Sequence, residues 1–202
     1  MRSLKDYYED LWERLPERLA PPDFTRRSRF LSAHLQTGQR VLDLGCGAAP
    51  FTGLIRHKVG AGNVVGADVA EAALKRARQI EPDTSFKLIP FDGPLPFADN
   101  EFDLLWASEV IEHVADTGRW LSEIRRVLKP SGRLLITTPA HPRLRLLLGG
   151  IGRYSEPLGD HLHLYDRRSL QTVLTEFGFR PVQIQTVGPP ALARMLLAVA
   201  TR

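Results

Sequence analysis

The sequence predicts an α/β protein in which a mostly parallel sheet is covered by helices on both faces. Short apolar stretches alternate with segments of helical periodicity along most of the 202 residues. One stretch, Phe102–Ala107, is apolar apart from Asp103, as is typical of a strand buried on both faces. Since the connections between segments are short, repeated crossover units and a doubly wound sheet are expected.

The periodicity predicts seven strands and five helices. The predicted strands are Val41–Leu44, Val64–Val69, Phe86–Phe91, Phe102–Ala107, Leu134–Thr138, Val182–Val187 and Met195–Thr201. The predicted helices are Leu4–Leu19, Phe51–Lys58, Ala70–Ile80, Trp120–Leu128 and Leu170–Phe177. Lys129–Gly132 should be a turn that stops the fourth helix, and Gly178 should cap the fifth in a left-handed conformation. Ala191–Ala200 is apolar enough to form a helix in place of the last strand.

One domain, residues 1–202, accommodates all these elements. Residues 1–36 are expected to form an N-terminal helical segment, 37–138 the ligand-binding core, and 166–202 a closing helix with two strands. Residues 139–165 show no clear period and are expected to be an insertion that covers the substrate. Loops and insertions of this kind commonly carry the residues that select a ligand.

Composition and charge favour a globular protein of a reducing compartment. The formal net charge is +4, with 43% hydrophobic and 25% charged residues. Arginines such as Arg26, Arg27 and Arg29 lack interleaved aromatic residues and are interpreted as solvated surface, not a nucleic-acid interface. The single cysteine excludes an internal disulfide, and no apolar run approaches the ~20 residues of a membrane span. Because residues 1–10 are too charged for a signal peptide, a cytoplasmic location is expected.

The stretch Val41–Pro50, VLDLGCGAAP, predicts a buried strand that turns sharply beneath a nucleoside-type ligand. Gly45 and Gly47 would allow the backbone to approach that ligand closely. A dinucleotide fingerprint has a third glycine where Pro50 stands, and proline removes a backbone N–H that a pyrophosphate would use. The turn therefore disfavours NAD and FAD. Cys46 within it is expected to be a small buried residue with an inert thiol.

Asp68 ends the second predicted strand, about 20 residues after the glycine turn. A carboxylate at this place can accept hydrogen bonds from both hydroxyls of a ribose. Asp68 could also cap the helix Ala70–Ile80, because aspartate is a preferred N-cap residue. The glycine turn that precedes it favours the ribose role.

Three further segments follow the glycine turn in a fixed order: Phe91–Phe97 (FDGPLPF), Asn100–Val114 (NEFDLLWASEVIEHV) and Arg126–Ile136 (RVLKPSGRLLI). With the turn, they resemble the class I S-adenosylmethionine-dependent methyltransferases, especially the branch of ubiquinone-type O-methyltransferases and methyltransferases of types 11 and 12. The resemblance covers roughly Tyr7 to Phe179, most of the chain. It implies a Rossmann-like sheet of seven strands, one of them antiparallel. It also implies S-adenosylmethionine as cofactor and S-adenosylhomocysteine as product.

The resemblance implies which residues hold the methionine moiety of the cofactor. Asp43 and the backbone of Gly45–Gly47 would bind it, with Asp43 near the amino group. Ala107 and Ser108, at the end of the fourth strand, would border it near the reactive methyl group. This chain departs from the family at Ala49, where another glycine is common. Since alanine fits a helical conformation, altered cofactor affinity is the largest effect expected.

The resemblance places the adenosine moiety against the ends of the next two strands. Asp68 would bind the ribose, and Val69 would lie against the adenine face. Asp92 would accept a hydrogen bond from the adenine amino group, with help from the Gly93 backbone. These loop acids would repel a pyrophosphate but suit a cofactor that carries no phosphate, which is a second argument against a dinucleotide.

His113 is the leading candidate for a general base, because it follows the fourth strand at the rim where an acceptor should bind. The alternative is a packing or capping role at the start of the next helix. Glu109 and Glu112 have the same two interpretations. A base is required only if the methyl acceptor must lose a proton.

His161 is the second catalytic candidate, in the segment Asp160–Asp166 that precedes the last helix. If this segment is extended, His161 and His163 share a face. We expect a lid in which His161, His163 or Tyr165 touches the acceptor. No metal is expected, because two histidines and a flanking acid lack a convincing third ligand. Asp166 should be the N-cap of the last helix.

The sequence thus predicts an enzyme that methylates a small molecule, at oxygen in preference to nitrogen or carbon. The alternative is a cofactor-binding partner or regulatory subunit without catalysis, since this fold has no invariant catalytic residue. A nucleic-acid partner is disfavoured, because the Asn/Asp-Pro-Pro-aromatic motif and the paired cysteines of nucleic-acid methylation are absent. Leu144–Leu148 with Arg143 could make weak peripheral contact with a membrane, although a lid helix packed on the domain is the preferred interpretation.

Overall fold

A computed structural model describes residues 4–16, 21–149 and 161–202. Seven strands form the sheet: β1 (Val41–Leu44), β2 (Val64–Asp68), β3 (Ser85–Leu88), β4 (Phe102–Ser108), β5 (Leu128–Pro139), β6 (Val182–Val187) and β7 (Met195–Thr201). The helices are α1 (Leu4–Arg14), α2 (Phe24–Ser32), α3 (Thr52–Val59), α4 (Glu71–Ile80), α5 (Thr117–Val127), α6 (Arg143–Gly149) and α7 (Arg167–Glu176). The doubly wound α/β class is confirmed.

The strand order is β3-β2-β1-β4-β5-β7-β6. Strands β1 to β5 pair in parallel, whereas β7 lies between β5 and β6 and is antiparallel to both. The predicted single antiparallel strand is therefore confirmed. The helical alternative for Ala191–Ala200 is wrong, since only a short 3₁₀ turn, Pro190–Leu192, precedes β7.

The sheet has a hydrophobic core on each face, and β4 contributes to both. Its residues Phe102 and Leu105 pack in the core on one face, while Leu104 and Trp106 pack on the other. All four side chains are fully buried. The apolar run in the sequence thus has the predicted cause, because a central strand with helices on both sides has no solvent-facing position.

Strand β3 and helix α1 end before the predicted Phe91 and Leu19, and two further elements differ from the sequence prediction. Strand β5 begins at Leu128, which pairs with Phe102 before a register shift, so the predicted turn Lys129–Gly132 lies within the strand as an irregularity. Helix α2 has no counterpart among the predicted helices, although it lies in the predicted N-terminal helical segment.

The predicted irregular insertion begins with α6, and Ala140 pairs with Tyr165 in an isolated bridge that brings the two ends of the insertion together. Residues 150–160, which include Asp160, lie outside the described residues. Across the ranges that the structure describes, no helix is both long and apolar enough to cross a bilayer.

Candidate active site

The carboxyl ends of β1, β2 and β4 open into two adjoining cavities. The first, of about 270 Å³, is lined by residues that include Asp68, Val69, Asp92, Gly93 and His113. The second, of about 840 Å³, is lined by residues that include Arg27, Asp43, Cys46, Gly47 and Ser108. Trp12, Leu15, Gly45 and Glu109 border both. The structure therefore brings most of the predicted site residues to one end of the sheet.

The glycine turn is left-handed at three positions. Gly45 has a φ of 72° and Gly47 a φ of 52°. A Cβ atom at Gly45 would clash with Val110, and one at Gly47 would lie 2.7 Å from the Trp12 ring. Both positions thus require glycine because of the backbone conformation and the packing, besides any need for a ligand to approach.

Ala49 does not fit the turn as expected from the sequence. Its φ is 64°, in the left-handed region, so the expectation that it adopts an ordinary helical conformation is wrong. The glycine that is common at this position in the family is explained by this conformation, which an alanine side chain strains.

Asp43 is buried beneath the turn, with 3% of its surface exposed. The Thr52 hydroxyl, at the start of α3, donates a hydrogen bond of 2.6 Å to Asp43 Oδ2. Burial raises the pKa of Asp43 to about 7, against the opposing effect of this hydrogen bond. A cationic ligand in the second cavity would favour the ionised carboxylate.

Asp68 connects the glycine turn to the start of α4. Its Oδ2 accepts from the Gly47 N–H at 2.8 Å and its Oδ1 from the Ala70 N–H at 3.0 Å. The N-cap residue of α4 is Ala70, so Asp68 is not the N-cap, although it does bind a helix N–H. The carboxylate keeps capacity to accept from a further donor, and burial raises the pKa of the carboxyl group.

The end of β4 carries a hydrogen-bonded chain of side chains. The Arg27 guanidinium donates to Ser108 Oγ at 2.9 Å, and the Ser108 and Thr137 hydroxyls are 2.8 Å apart. The Thr137 hydroxyl donates to Glu109 Oε1 at 2.9 Å. Glu109 has a φ of 58°, a conformation that is strained outside glycine and that often occurs at functional sites. Ala107, by contrast, is fully buried in the core and lines neither cavity.

Arg27 is the site residue that sequence reasoning missed. It was interpreted as solvated surface, but only 2% of it is exposed. It lies over the Phe51 ring, and its Nη1 is 4.0 Å from Glu109 Oε1. Burial lowers the pKa of Arg27 and the charge of Glu109 opposes this shift. A buried cation on the wall of the second cavity can pair with an anionic group of a ligand.

Glu112, His113 and His161 form a cluster, of which His113 lines the first cavity. Ligand atoms of the three side chains all lie within 4.8 Å of one another. His113 Nε2 is 3.9 Å from Glu112 Oε1, and the rings of His113 and His161 are 4.6 Å apart. The Thr138 hydroxyl donates to Glu112 Oε2 at 2.9 Å. Burial, with the nearby charge of Glu109, raises the pKa of Glu112 to about 8.

This cluster differs from the pair of histidines considered from sequence. His161 lies against His113, whereas His163 has its Nε2 2.9 Å from the Val114 carbonyl oxygen. The Glu112 carbonyl accepts from the backbone N–H of Leu162 and of His163, which fixes this segment beside β4. Chemically, one carboxyl and two imidazoles can move a proton, and among the described residues they also form the group that could hold a metal ion.

Two other sequence predictions are confirmed. Asp166 is the N-cap of α7 and accepts from the Ser169 N–H at 2.7 Å, in a capping box. Cys46 is buried, and burial raises the pKa of its thiol well above the usual range. An inert thiol is therefore consistent with its surroundings.

The strand order, the left-handed glycine turn and the buried acids of β1 and β2 together are those of a class I S-adenosylmethionine-dependent methyltransferase. A family model described as a methyltransferase domain matches residues 7–184. The chain belongs to this family, and S-adenosylmethionine is its cofactor. The class predicted from sequence is confirmed.

Individual relatives agree with this assignment. Methyltransferase GfsG of Streptomyces halstedii is 38% identical over 108 residues, which is 50% of this chain and 38% of that protein. The ubiquinone/menaquinone biosynthesis C-methyltransferase UbiE of Shewanella frigidimarina is 29% identical over 199 residues, 85% of this chain and 79% of that protein. The chain thus spans well under half of the first relative and about four-fifths of the second.

Solved structures share the fold. An S-adenosylmethionine-dependent methyltransferase from Mesorhizobium loti superposes with a TM-score of 0.71 at 23% sequence identity. The match covers 88% of this chain and 96% of that one. The sheet order is therefore that of a known group of structures.

Proposed function

We propose that this protein transfers the methyl group of S-adenosylmethionine to a small molecule with an acidic hydroxyl, at oxygen. The observation that carries the proposal is the set of buried charges around the two cavities, Asp43, Asp68 and Arg27. Acids match the ammonium and ribose donors of the cofactor, and the buried guanidinium matches its carboxylate. A pyrophosphate beside Asp68 would be repelled by the aspartate carboxylate.

Within the first cavity, we assign the adenosine moiety. Asp68 binds the ribose hydroxyls with the lone pairs that Gly47 and Ala70 leave free. Val69 packs against the adenine, and Asp92 with the Gly93 backbone accepts from the adenine amino group. Asp92 is an exposed residue at the wall of the first cavity.

The second cavity takes the methionine moiety under this proposal. Asp43 binds its ammonium group, Arg27 its carboxylate, and the Gly45–Gly47 backbone lies along it. Ser108 lies between the guanidinium and Thr137, so the Ser108 hydroxyl, which accepts from Arg27, donates to Thr137. This fixed chain orients Arg27 and Glu109 before a ligand binds, which limits the cost of ordering them.

Bound S-adenosylmethionine supplies an electrophilic methyl group on a sulfonium. The protein has to hold the acceptor in line with that methyl and exclude water, a proximity effect worth roughly 7–11 kcal/mol. His113 takes the proton from the acceptor hydroxyl, with its Nε2 3.9 Å from Oε1 of the Glu112 carboxyl group. His161, packed on His113, closes the acceptor side.

Carbon methylation is the second candidate, favoured by the name of the UbiE C-methyltransferase relative. Removal of a proton from a phenol or enol raises the electron density on oxygen and on the adjacent carbon alike. The same base can therefore serve either product, and the acceptor pocket decides which atom faces the methyl group.

The remaining assignments concern organisation. We propose that residues 1–202 act as one methyltransferase domain in the cytoplasm, with 139–165 as the segment that selects the acceptor. The ends of this segment meet at the Ala140–Tyr165 bridge, close to His141 and His161. Leu144 and Leu147 on α6 are exposed. We propose that they make weak contact with a lipid surface or with an apolar acceptor.

The test is His113→Ala with an acceptor panel of phenols, catechols and hydroquinones, assayed for S-adenosylhomocysteine. We expect kcat to fall about 10²–10⁴-fold while cofactor affinity changes less than about twofold, because general-base catalysis has this magnitude. His57→Ala, at an exposed histidine, is the matched control. The mass of the product and its NMR spectrum distinguish O- from C-methylation.

Two results would contradict the proposed base. Full activity of His113→Ala would leave proximity as the only contribution. Activity that disappears in EDTA and returns with Mg²⁺ or Zn²⁺ would make His113 a metal ligand together with Glu112 and His161. Cofactor binding without turnover of any acceptor would favour the partner-protein alternative.

A further inference from the structure

Helix α1 contributes to the walls of both cavities. Tyr8 stacks on Phe91 at the first cavity, with ring centroids 6.1 Å apart and planes at 27°. One turn further on, Trp12 packs on Gly47 and borders both cavities. A ligand that fills the two cavities is therefore partly covered by one helix, and loss of that cover should speed its departure.

The Glu9 carboxylate links α1 to the start of α4. Glu9 Oε1 accepts from the Glu71 N–H at 2.8 Å, and Glu9 Oε2 accepts from the Ala72 N–H at 2.9 Å. These are the first two N–H groups of α4, which have no partner within their own helix. The N-cap residue Ala70 has no side chain that could bind them. Glu9, from a distant part of the chain, thus replaces the missing cap.

The end of α1 is fastened to the same helix. The Arg76 guanidinium, on α4, donates to the Leu15 carbonyl at 2.8 Å and to the Pro16 carbonyl at 3.0 Å. The Glu9 contact lies between Tyr8 and Trp12 in sequence, at the part of α1 that covers the cavities. Its loss should therefore free the covering residues while the Arg76 contact keeps the helix nearby.

The Glu9 contact adjoins the ribose-binding carboxylate. Asp68 accepts from the Ala70 N–H, so Asp68 and Glu9 together bind three consecutive N–H groups at the start of α4. The negative charge of Glu9 contributes to the raised pKa of Asp68. The closed position of α1 is thus connected directly to the place where the cofactor is held.

We propose that Glu9 is a positioning residue that holds α1 closed over bound S-adenosylmethionine and so sets how fast the cofactor and its product leave. Glu9 acts through Tyr8 and Trp12 and does not itself touch the ligand. This inference rests on the proposed cofactor site. It gives Glu9 control over how long the ligand stays bound.

The experiment compares Glu9→Ala, Glu9→Gln and the control Glu13→Ala. Glu13 carries the same charge on the same helix but is exposed. The first measurement is the dissociation rate of S-adenosylhomocysteine by stopped-flow fluorescence. The second is hydrogen exchange of the α1 amides in the ligand-free protein, which requires no cofactor.

In Glu9→Ala we expect dissociation about tenfold faster, with the association rate within about twofold, and α1 amides that exchange about tenfold faster. Glu9→Gln should lie between this variant and wild type, because its amide oxygen can still accept one of the two N–H groups. Glu13→Ala should match wild type. A faster dissociation rate with a nearly unchanged association rate, together with the partial rescue by glutamine, distinguishes a positioning role of Glu9 from a general loss of stability.

Equal dissociation rates and equal α1 exchange in Glu9→Ala and Glu13→Ala would overturn the inference. So would faster exchange with an unchanged dissociation rate, since the closed helix would then not retain the ligand. Absence of S-adenosylhomocysteine binding in the wild type would contradict the proposed function itself, and the exchange measurement would still report whether Glu9 fastens α1.

Discussion

At the scale of single residues, Ala49 has a backbone conformation that usually belongs to glycine, with a φ of 64°. The left-handed conformation costs a residue with a Cβ atom about 1–2 kcal/mol, whereas glycine adopts it freely but loses more entropy on folding. We expect Ala49→Gly to raise the free energy of unfolding by about 0.5–1 kcal/mol. Urea denaturation monitored by circular dichroism measures this.

The neighbouring Ala48 provides the matched control, because it is not among the residues with a positive φ. Ala48→Gly should therefore lower the free energy of unfolding by about 0.5–1 kcal/mol through the unfolded-state entropy. Destabilisation by both glycine substitutions would mean that the strain at Ala49 does not exist in solution.

Asp43 should couple cofactor binding to proton release. Because burial raises its pKa to about 7, the carboxyl is mostly protonated at pH 6 and mostly ionised at pH 8. An ammonium group bound beside it lowers that pKa, so affinity should increase as the pH rises through 7. Binding should release close to one proton at pH 6 and about a third of a proton at pH 7.4.

Calorimetry in two buffers of different ionisation enthalpy measures the number of protons released. Asp43→Asn, which keeps the size and a hydrogen-bond acceptor for Thr52, should abolish the release. An observed binding enthalpy that is the same in both buffers at pH 6 would show that Asp43 is not the group that meets the ammonium.

At the scale of elements, α7 shows how far local signals predict structure. Asp166 was predicted as its N-cap from residue type alone, and the structure has a capping box between Asp166 and Ser169. We expect Asp166→Ala to lower the free energy of unfolding by about 1 kcal/mol, because the Ser169 N–H loses its acceptor. Asp83→Ala removes the same charge from an exposed loop and should have little effect. Equal unfolding free energies for the two variants in urea would contradict the assigned cap.

The elements that local signals missed depend on distant partners. Strand β5 begins at Leu128 because Phe102 pairs with it across the sheet, although Pro130 and Gly132 resemble a turn. Helix α2 is short and has a left-handed residue, Asp23, as its N-cap without a side-chain cap bond, so it lacks the usual start signal. Pairing and packing, not propensity, establish both elements.

At the scale of the whole molecule, the sheet order explains why residues so distant in sequence share one site. Strands β1, β2 and β4 are neighbours and parallel, so their carboxyl ends lie at the same edge of the sheet. This topology explains why four side chains lie close together: Asp43, Asp68, Ser108 and Glu109. Because the strands are parallel, motifs that are separate in sequence line the same pair of cavities.

Two parts of the site come from outside this pattern. Arg27 reaches the second cavity from α2. From α1, Tyr8 reaches the first cavity and Trp12 reaches both. Their positions follow from contacts across long stretches of sequence, such as Arg27 with Ser108 and Glu9 with α4. No periodicity or motif in the sequence marks these contacts, which is why Arg27 was interpreted as a surface residue.

The sequence by itself determined the fold class, the family and the acids of β1 and β2, because burial patterns and turn residues are local and leave a readable order of motifs. The tertiary structure decided what those local signals do not contain: the strain at Ala49, the buried Arg27, the meeting of Glu112, His113 and His161, and the contact of Glu9 with α4. Each of these depends on side chains brought together from distant segments, where packing and burial assign a conformation, a charge state or a partner.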